Sequence, residues 1–416
     1  MSTFIYSLFL YCYRAGIFIA SLFNKKARLW INGRKNWQTR LKQALGDHAA
    51  PVIWVHCASL GEFEQGRTIL ESLKKEYPGY KILLTFFSPS GYEIRKNYAQ
   101  ADWVFYLPLD TRHNARDFVN LVKPALTIFV KYEYWHHLLH ALKEKGNPVL
   151  LISALFRENA IFFRSYGSFH RSMLRCFTHI FVQDAESRER LTGIVPSGQV
   201  TVAGDTRFDR VAQIASGFEP IPAIAAFVHQ HPFVIVAGST WPDDEKHLAS
   251  YVKLNSTNSI LIIAPHEVND RHIKEIKVKF PQALLFSRLK EIHAPKARIL
   301  IIDNIGMLSR LYYYADITYI GGGFNKSGIH NTLEAAVFGK PVLFGPNYQK
   351  FSEARALIKK RGAISYTDEN QLIKSIHQLE TNTDLRQELG ANAGRFVGDH
   401  TGATHIIMDY IRENLR

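Results

Sequence analysis

From about residue 50 to residue 365 the chain repeats one local pattern: a short apolar run, a polar or glycine-bearing turn, then a helical stretch. In the first half the apolar runs are "VIWVHCAS", "KILLTFF", "WVFYLPLD", "ALTIFVKYEYW", "PVLLISALF" and "HIFVQDAESRERL". In the second they are "FVIVAGST", "SILIIAP", "ALLFS", "RILIID", "ITYIGGG", "PVLFGP" and "AISY". Strand, turn and helix at this spacing make βαβ units on a parallel sheet. The rhythm pauses once, in "SGFEPIPAIAAFVHQHP", where three prolines fall close together and no strand begins. The pattern therefore predicts an α/β chain of two doubly wound, Rossmann-like domains, with a linker within about 205–230. The expected segments are 1–30, 31–210, 225–400 and a last helical segment, 401–416, that crosses back to the first domain. Ligands of such folds sit at the carboxyl ends of the strands, and two such domains are expected to face each other across a cleft.

The N-terminus departs from this pattern. Thr3 to Phe23, "TFIYSLFLYCYRAGIFIASLF", is apolar apart from small polar residues and Arg14. Lys25, Lys26, Arg28, Arg34, Lys35, Arg40 and Lys42 follow, with no acid before Asp47. About 20 apolar residues suffice to span a bilayer, and flanking cations stay on the cytoplasmic side. A cleavable signal would carry its positive charge before the apolar run. Arg14 disfavours a full span and leaves open a helix lying in the interface. The expectation is a membrane-associated segment with the bulk of the chain cytoplasmic. A formal net charge of +14 implies an anionic partner. Nucleic acid fits poorly, because the aromatics lie in apolar strands rather than among basic clusters. Cys12, Cys57 and Cys176 have neither disulfide-framework nor zinc spacing.

The turn after "VIWVHCAS" places an acid, Glu62, where many nucleotide-binding folds hold a phosphate. The helix expected from about Glu62 to Glu76 favours a carboxylate anion at its N-terminus. An anion there repels phosphate, so the turn suits a general base. Glu64 has the plain reading of a helix-surface acid.

The second half carries the nucleotide-site candidate. In "ITYIGGGFNKSGIHNTLEAAVFGKPVLFGP" a strand ends in Gly321, Gly322 and Gly323, a polar loop reaches Gly328, and a helix is expected to open around Asn331 and Thr332. Glycines allow close backbone approach, and helix N-terminal amides favour an anion. Glu334 is placed to accept hydrogen bonds from ribose hydroxyls. The spacing is not the dinucleotide fingerprint, which disfavours a redox dehydrogenase. Three further strand ends carry Ser239 and Thr240, Pro265 and His266, and Ile305, Gly306 and Met307.

Taken in order, "HCASLGEFEQGRTIL", "SPSG", "FYLPLDT", "KYEYW", "GDTRFD", "GSTWPDDE", "PHE" and "GGGFNKSGIHNTLEAAVFGKPVLFGP" resemble the 3-deoxy-D-manno-octulosonic acid (Kdo) transferases of lipopolysaccharide assembly. The resemblance implies a GT-B glycosyltransferase on the bacterial inner membrane, with its catalytic domains on the cytoplasmic side. It also implies no bound metal or other cofactor, CMP-Kdo as donor, and a bisphosphorylated, acylated lipid A precursor as acceptor. By position it makes Glu62 the general base, with Glu133 and Arg207 supporting the transition state. It puts Ser59, Gly61, Ser88 and Ser90 on the acceptor side. CMP contacts fall on Pro265 and His266, on Ile305 to Met307, and on Asn331, Thr332, Leu333 and Glu334. The chain departs from the family pattern at Lys131 to His136, at Arg207 and at Ile329. Rival expectations are a UDP-sugar-dependent GT-B transferase or epimerase, and a non-catalytic membrane scaffold.

Overall fold

The computed structural model describes residues 3–229, 231–254, 259–291 and 297–415. The expected segments 1–30, 225–400 and 401–416 each include a few positions outside that set. The chain forms two compact units, one of residues 1–210 with 401–416 and one of residues 211–400.

Unit 1 is built on seven parallel strands: β1 Val52–Cys57, β2 Lys81–Phe86, β3 Trp103–Tyr106, β4 Pro124–Val130, β5 Val149–Ala154, β6 His179–Val182 and β7 Val200–Val202. Their order is β3-β2-β1-β4-β5-β6-β7. The chain winds outward from β1 in one direction, then returns to its other side with β4. The sheet is covered on both faces, and successive residues of β1 show why. Val52 and Trp54 join a core with Phe118, Leu138 and Phe177. Ile53 and Val55 point the other way, into a core with Phe63 and Ile69 of helix Leu60–Glu76. That second core also takes Ala403, Ile407, Met408 and Ile411 of helix Ala403–Asn414. Asp209 accepts hydrogen bonds from the backbone N–H of Gly402 and Thr404 and so fixes the entry to this last helix.

Unit 2 repeats the plan with β8 Val234–Thr240, β9 Ile260–Pro265, β10 Leu284–Leu285, β11 Ile299–Ile301, β12 Ile317–Ile320, β13 Val342–Phe344 and β14 Ala363–Ser365. All pairings are parallel, in the order β10-β11-β9-β8-β12-β13-β14. The winding reverses between β8 and β12, as it does between β1 and β4 in unit 1. In sheets of this kind ligands lie outside the carboxyl ends at such a reversal.

The N-terminal helix, Thr3–Ser21, is long and apolar enough to cross a membrane by length and composition. One side of it packs on unit 1. Tyr6 donates its hydroxyl to Asp110 at 2.6 Å, and Ser7 Oγ lies 3.1 Å from His137 Nε2. Farther along, Tyr13 packs against Trp30 and Phe87. Phe4, Leu8, Phe9, Phe18 and Ile19 are exposed on the remaining surface.

Three local expectations differ from what forms. No break occurs near residue 30, because helix Lys25–Gly33 runs through it, capped by the Asn24 side chain and anchored by buried Trp30. The unit boundary falls within the expected 205–230, between Arg210 and Val211, but inside helix Thr206–Ser216 rather than in extended chain, and helix Pro222–Val228 follows. Pro222 takes the first helical position, where its missing N–H costs nothing. The run "ALLFS" yields a strand of only two residues before a 3-10 turn.

Candidate active site

In unit 1 the sequence-predicted residues gather where the winding reverses. Glu62 sits in the first turn of helix Leu60–Glu76, directly after β1. This helix begins two residues earlier than expected, at Leu60, with Ser59 as its N-cap. Ser-x-x-Glu at this position often forms a capping box, with each side chain bonded to a backbone N–H. Here Ser59 instead donates its hydroxyl to Glu62 Oε2. Glu62 is half-buried. The neighbouring turn is tied in through the Ser88 N–H, which donates to the Ala58 carbonyl at 2.7 Å. Ser88 then caps the next helix through the Ser90 N–H, and its hydroxyl lies 3.0 Å from that of Ser90. Gly61 is exposed beside Ser59. Glu64 is engaged on the surface, accepting from Arg95 at 2.8 Å.

On the β4 side, Lys131 follows the strand with φ 69°, and on β5 Ser153 has φ 53°. Non-glycine residues in this region carry strain that the surrounding structure must hold. Glu133 is not open to solvent. Its Oε2 lies 2.9 Å from His56 Nε2 and accepts from the Trp135 indole at 2.7 Å. His56 is fully buried and reaches Thr85 Oγ1 through Nδ1, while the Trp54 indole donates to the same hydroxyl. Glu133 thus stands behind the strand ends, buttressed by three aromatic residues of the core.

Arg207 lies at the start of helix Thr206–Ser216 and pairs with Asp205 through Nε at 2.9 Å and its terminal nitrogen at 2.7 Å. Burial pushes the Asp205 carboxyl upward, but the Arg207 guanidinium and its hydrogen bonds, with Lys131, hold it below the ordinary range. Thr206 bridges the Gln65 carbonyl and the Ser153 hydroxyl, locking this segment to the helix that carries Glu62. Electrostatics show which groups share the space. Burial raises the Tyr132 phenol, Arg157 opposes it, Glu62 adds to it and Arg207 opposes it. The buried Cys57 thiol is pushed up by burial and then by Glu62 and Glu133. The charges of Glu62, Arg157 and Arg207 are thus all felt at the Tyr132 phenol. Sequence reasoning named the first and last of these and missed Tyr132 and Arg157.

In unit 2 all four predicted strand ends are neighbours, because β11, β9, β8 and β12 are adjacent in the sheet. Ser239, at φ 53°, is the bulged residue between β8 and β9. Thr240 is buried and accepts at its carbonyl from the His266 N–H at 3.0 Å. Pro265 closes β9. Ile305 is 86% exposed, Gly306 has φ +94°, and Met307 turns back into the core. Asp244 joins the β8 and β12 turns by accepting from the N–H groups of Trp241 and Gly322 and from the Tyr319 hydroxyl.

Three rings meet beside these turns. The Trp241 indole donates to His330 Nε2 at 2.9 Å, and His266 stacks on both, with centroids 4.8 Å and 4.2 Å away. Burial, then His266, lowers the His330 pKa to about 4. His266 is exposed, leaving a flat aromatic surface at the carboxyl ends of β8 and β9. Trp241 and His330 were not picked out from the sequence. A lone tryptophan after a strand reads as core, and the pairing across 89 residues has no local signal.

Two expectations need correction here. The first concerns "GGG", whose glycines are required by close packing against the protein's own backbone. A Cβ on Gly321 would meet the Ser239 carbonyl, one on Gly322 the Gly328 carbonyl, and one on Gly323 the backbone of Gly345. Gly328, at φ +86°, likewise faces the Asn347 carbonyl and Phe351. The second concerns the helix after Asn331, which is only Leu333–Ala336. Gly339, at φ +65°, and Pro341 stop it. So short a helix has little dipole to offer a phosphate. Asn331 remains a hydrogen-bonding post, donating to Glu334 Oε1 at 3.0 Å and accepting from the Leu333 N–H. Leu333 is buried in the core, and Thr332 is buried with no partner for its hydroxyl among the described residues.

Residues 35–210 match the family model described as 3-deoxy-D-manno-octulosonic-acid transferase (kdotransferase). The chain is 24% identical over 375 residues to the 3-deoxy-D-manno-octulosonic acid transferase of Haemophilus influenzae, covering 87% of each. It is 29% identical over 334 residues to that of Aquifex aeolicus, covering 79% of this chain and 86% of the relative. Among solved structures, the UDP-GlcNAc 2-epimerase of Neisseria meningitidis superposes with a TM-score of 0.60 at 17% identity, over 88% of this chain and all of the other. That likeness shows the fold: two parallel α/β sheets of the GT-B type. By sequence, the chain is a relative of the 3-deoxy-D-manno-octulosonic acid transferases over about four fifths of its length.

Proposed function

We propose that this protein is an inverting glycosyltransferase that moves Kdo from CMP-Kdo to a lipid A precursor, a bisphosphorylated acyl disaccharide, in lipopolysaccharide core biosynthesis. The observation that carries the proposal is the setting of Glu62. It is a half-buried carboxylate at the winding reversal of unit 1, held at Oε2 by Ser59, and its charge is felt with those of Arg157 and Arg207 at the Tyr132 phenol. With Oε2 engaged, Oε1 is the atom to take a proton. Glu62 removes the proton of an acceptor sugar hydroxyl as that oxygen attacks the anomeric carbon of Kdo. The bond from that carbon to the CMP phosphate breaks, and CMP leaves with the electron pair. A single displacement inverts the anomeric centre and needs no protein nucleophile. Arg207, oriented by Asp205, supplies positive charge near the anionic sugar. Glu133 acts through position, fixing His56 and Trp135 behind the acceptor-side turns.

Unit 2 takes the donor's nucleotide, with the Trp241–His266–His330 rings beside Pro265 and the Ile305–Met307 loop. No cofactor enters this scheme. The N-terminal helix is held to unit 1 from Tyr6 to Tyr13, which favours lying along an inner-membrane surface over a free span. The cations after it, Lys25, Lys26 and Arg28, are exposed and suit an anionic lipid surface on the cytoplasmic side.

The test is transfer from CMP-Kdo, made in situ, to a tetra-acylated lipid A precursor, read by product mass, with wild type beside Glu62→Gln. Product from wild type and at least a hundredfold less from a folded variant supports reaction and base together. Equal activity leaves the reaction and removes Glu62 as base. Absence of transfer by either protein, with UDP bound in preference to CMP, moves the UDP-sugar reading forward.

A further inference from the structure

We propose that a basic groove on unit 1 holds the phosphate of an anionic phospholipid headgroup beside the N-terminal apolar helix. The groove, about 510 Å³, runs between helices Arg112–Val122 and His136–Glu144, with Thr3 at its side. These two helices pack on the sheet face that carries Trp54, whereas the helix bearing Glu62 packs on the opposite face. The groove's helices therefore lie across the sheet from the helix bearing Glu62, and the proposal does not depend on the assigned reaction.

Its chemistry is that of an anion site. Arg112 and Arg116 stand one helical turn apart, and Lys145 faces them from the second helix. Glu144 is the acid among the lining residues. Among the described residues no ion pair engages Arg112, Arg116 or Lys145. Three cations with no carboxylate partner converge on one space, and guanidinium groups bind phosphate oxygens in pairs.

An independent sign lies at the floor. His136 is 8% exposed, its ring stacks on Phe169 at 4.5 Å, and its Nδ1 is buried with no hydrogen-bond partner among the described residues. An orphaned buried polar atom is costly unless something satisfies it. Burial, with His140 and His137, lowers the His136 pKa to about 4, so the ring is neutral near pH 7 and offers an N–H rather than a charge. A phosphate oxygen accepts from such a group.

The neighbouring surface selects a lipid rather than free phosphate. Thr3 begins the helix on which Phe4, Leu8 and Phe9 are 75%, 51% and 59% exposed. An apolar row beside a cationic groove matches a molecule with acyl chains at one end and a phosphate at the other.

Calorimetric titration of the full chain with short-chain phosphatidylglycerol, below its micelle concentration, tests this. Phosphatidylcholine of the same chain length and inorganic phosphate are the comparison ligands. Phosphatidylglycerol is expected to bind at least tenfold more tightly than either. Arg112→Gln, Arg116→Gln and Lys145→Gln together are expected to weaken it tenfold or more. His136→Phe, which keeps the stacked ring, is expected to weaken it several-fold, while Lys359→Gln with Lys360→Gln, exposed on unit 2, changes nothing. Equal binding of inorganic phosphate overturns the lipid assignment. Unchanged binding in the triple variant, or in His136→Phe should the triple variant not fold, overturns the site.

Discussion

The indole N–H of Trp241 donates to Nε2 of His330, and the two rings lie within 6° of parallel. An indole can only donate, so His330 carries its proton on Nδ1 and is neutral. Its folded pKa of about 4 lies below the ordinary 6.5, because burial and then His266 disfavour the charge. The unfolded chain therefore binds this proton more readily, and the stability held by neutral His330 is present above pH 6.5 and lost as pH falls toward 4. CMP binding is expected to be flat from pH 8 to 6 and to weaken below that range. Trp241→Ala should reduce CMP affinity about tenfold or more, since an aromatic surface under a base contributes about 1–3 kcal/mol. Trp241→Phe should cost less. Calorimetry with CMP decides, and unchanged affinity in Trp241→Ala would remove the rings from the nucleotide site.

Ser59 gives a finer test of the base. Its hydroxyl goes to Glu62 Oε2 and makes no cap bond to the helix backbone. Ser59→Ala is therefore expected to leave the thermal midpoint within a few degrees while lowering kcat about tenfold, an effect of about 1.4 kcal/mol. The KM for CMP-Kdo should not move. A large fall in stability with unchanged kcat would make Ser59 a structural cap.

Glu133 is expected to show the opposite signature. Replacing it by Gln puts an amide among two committed neighbours, His56 and Trp135, in a site 6% exposed. A mismatched buried hydrogen bond costs about 1–3 kcal/mol. Urea unfolding of Glu133→Gln should show that loss, with kcat reduced in step. Undiminished stability with collapsed kcat would instead mean direct contact with the reacting sugar.

The sheets and the turn at Glu62 were legible because their signals are local. An apolar run, a polar turn and an amphipathic helix need no distant partner to be recognised. The sequence also located the four strand ends of unit 2, and adjacency in the sheet brought them together. What escaped depends on long-range packing. "GGG" reads as a ligand loop, yet its glycines are required by the carbonyls of Ser239 and Gly328 and the backbone of Gly345. By resemblance Glu133 supports the transition state, and only the fold shows His56, 77 residues away, against it. The His56–Glu133 and Trp241–His330 pairs have no periodicity to betray them.

Asp110 links the N-terminal helix to pH. It is fully buried and accepts from the Tyr6 hydroxyl and from the N–H groups of His137 and Leu138. Burial raises its carboxyl to about 7, against the partial opposition of those three hydrogen bonds. Because the folded value exceeds the unfolded one of 3.8, the folded state holds the proton more tightly. The stability this contributes is complete below about pH 4 and is lost as pH rises through 7. Urea midpoints of wild type should therefore carry a component that declines between pH 4 and 7, and Asp110→Asn should remove it. Asn keeps one acceptor oxygen and loses the other, so the variant should also release Tyr6 and expose the Thr3–Ser21 helix to protease. An unchanged pH slope with an equally protected helix would show that Asp110 neither titrates in this range nor holds the helix down.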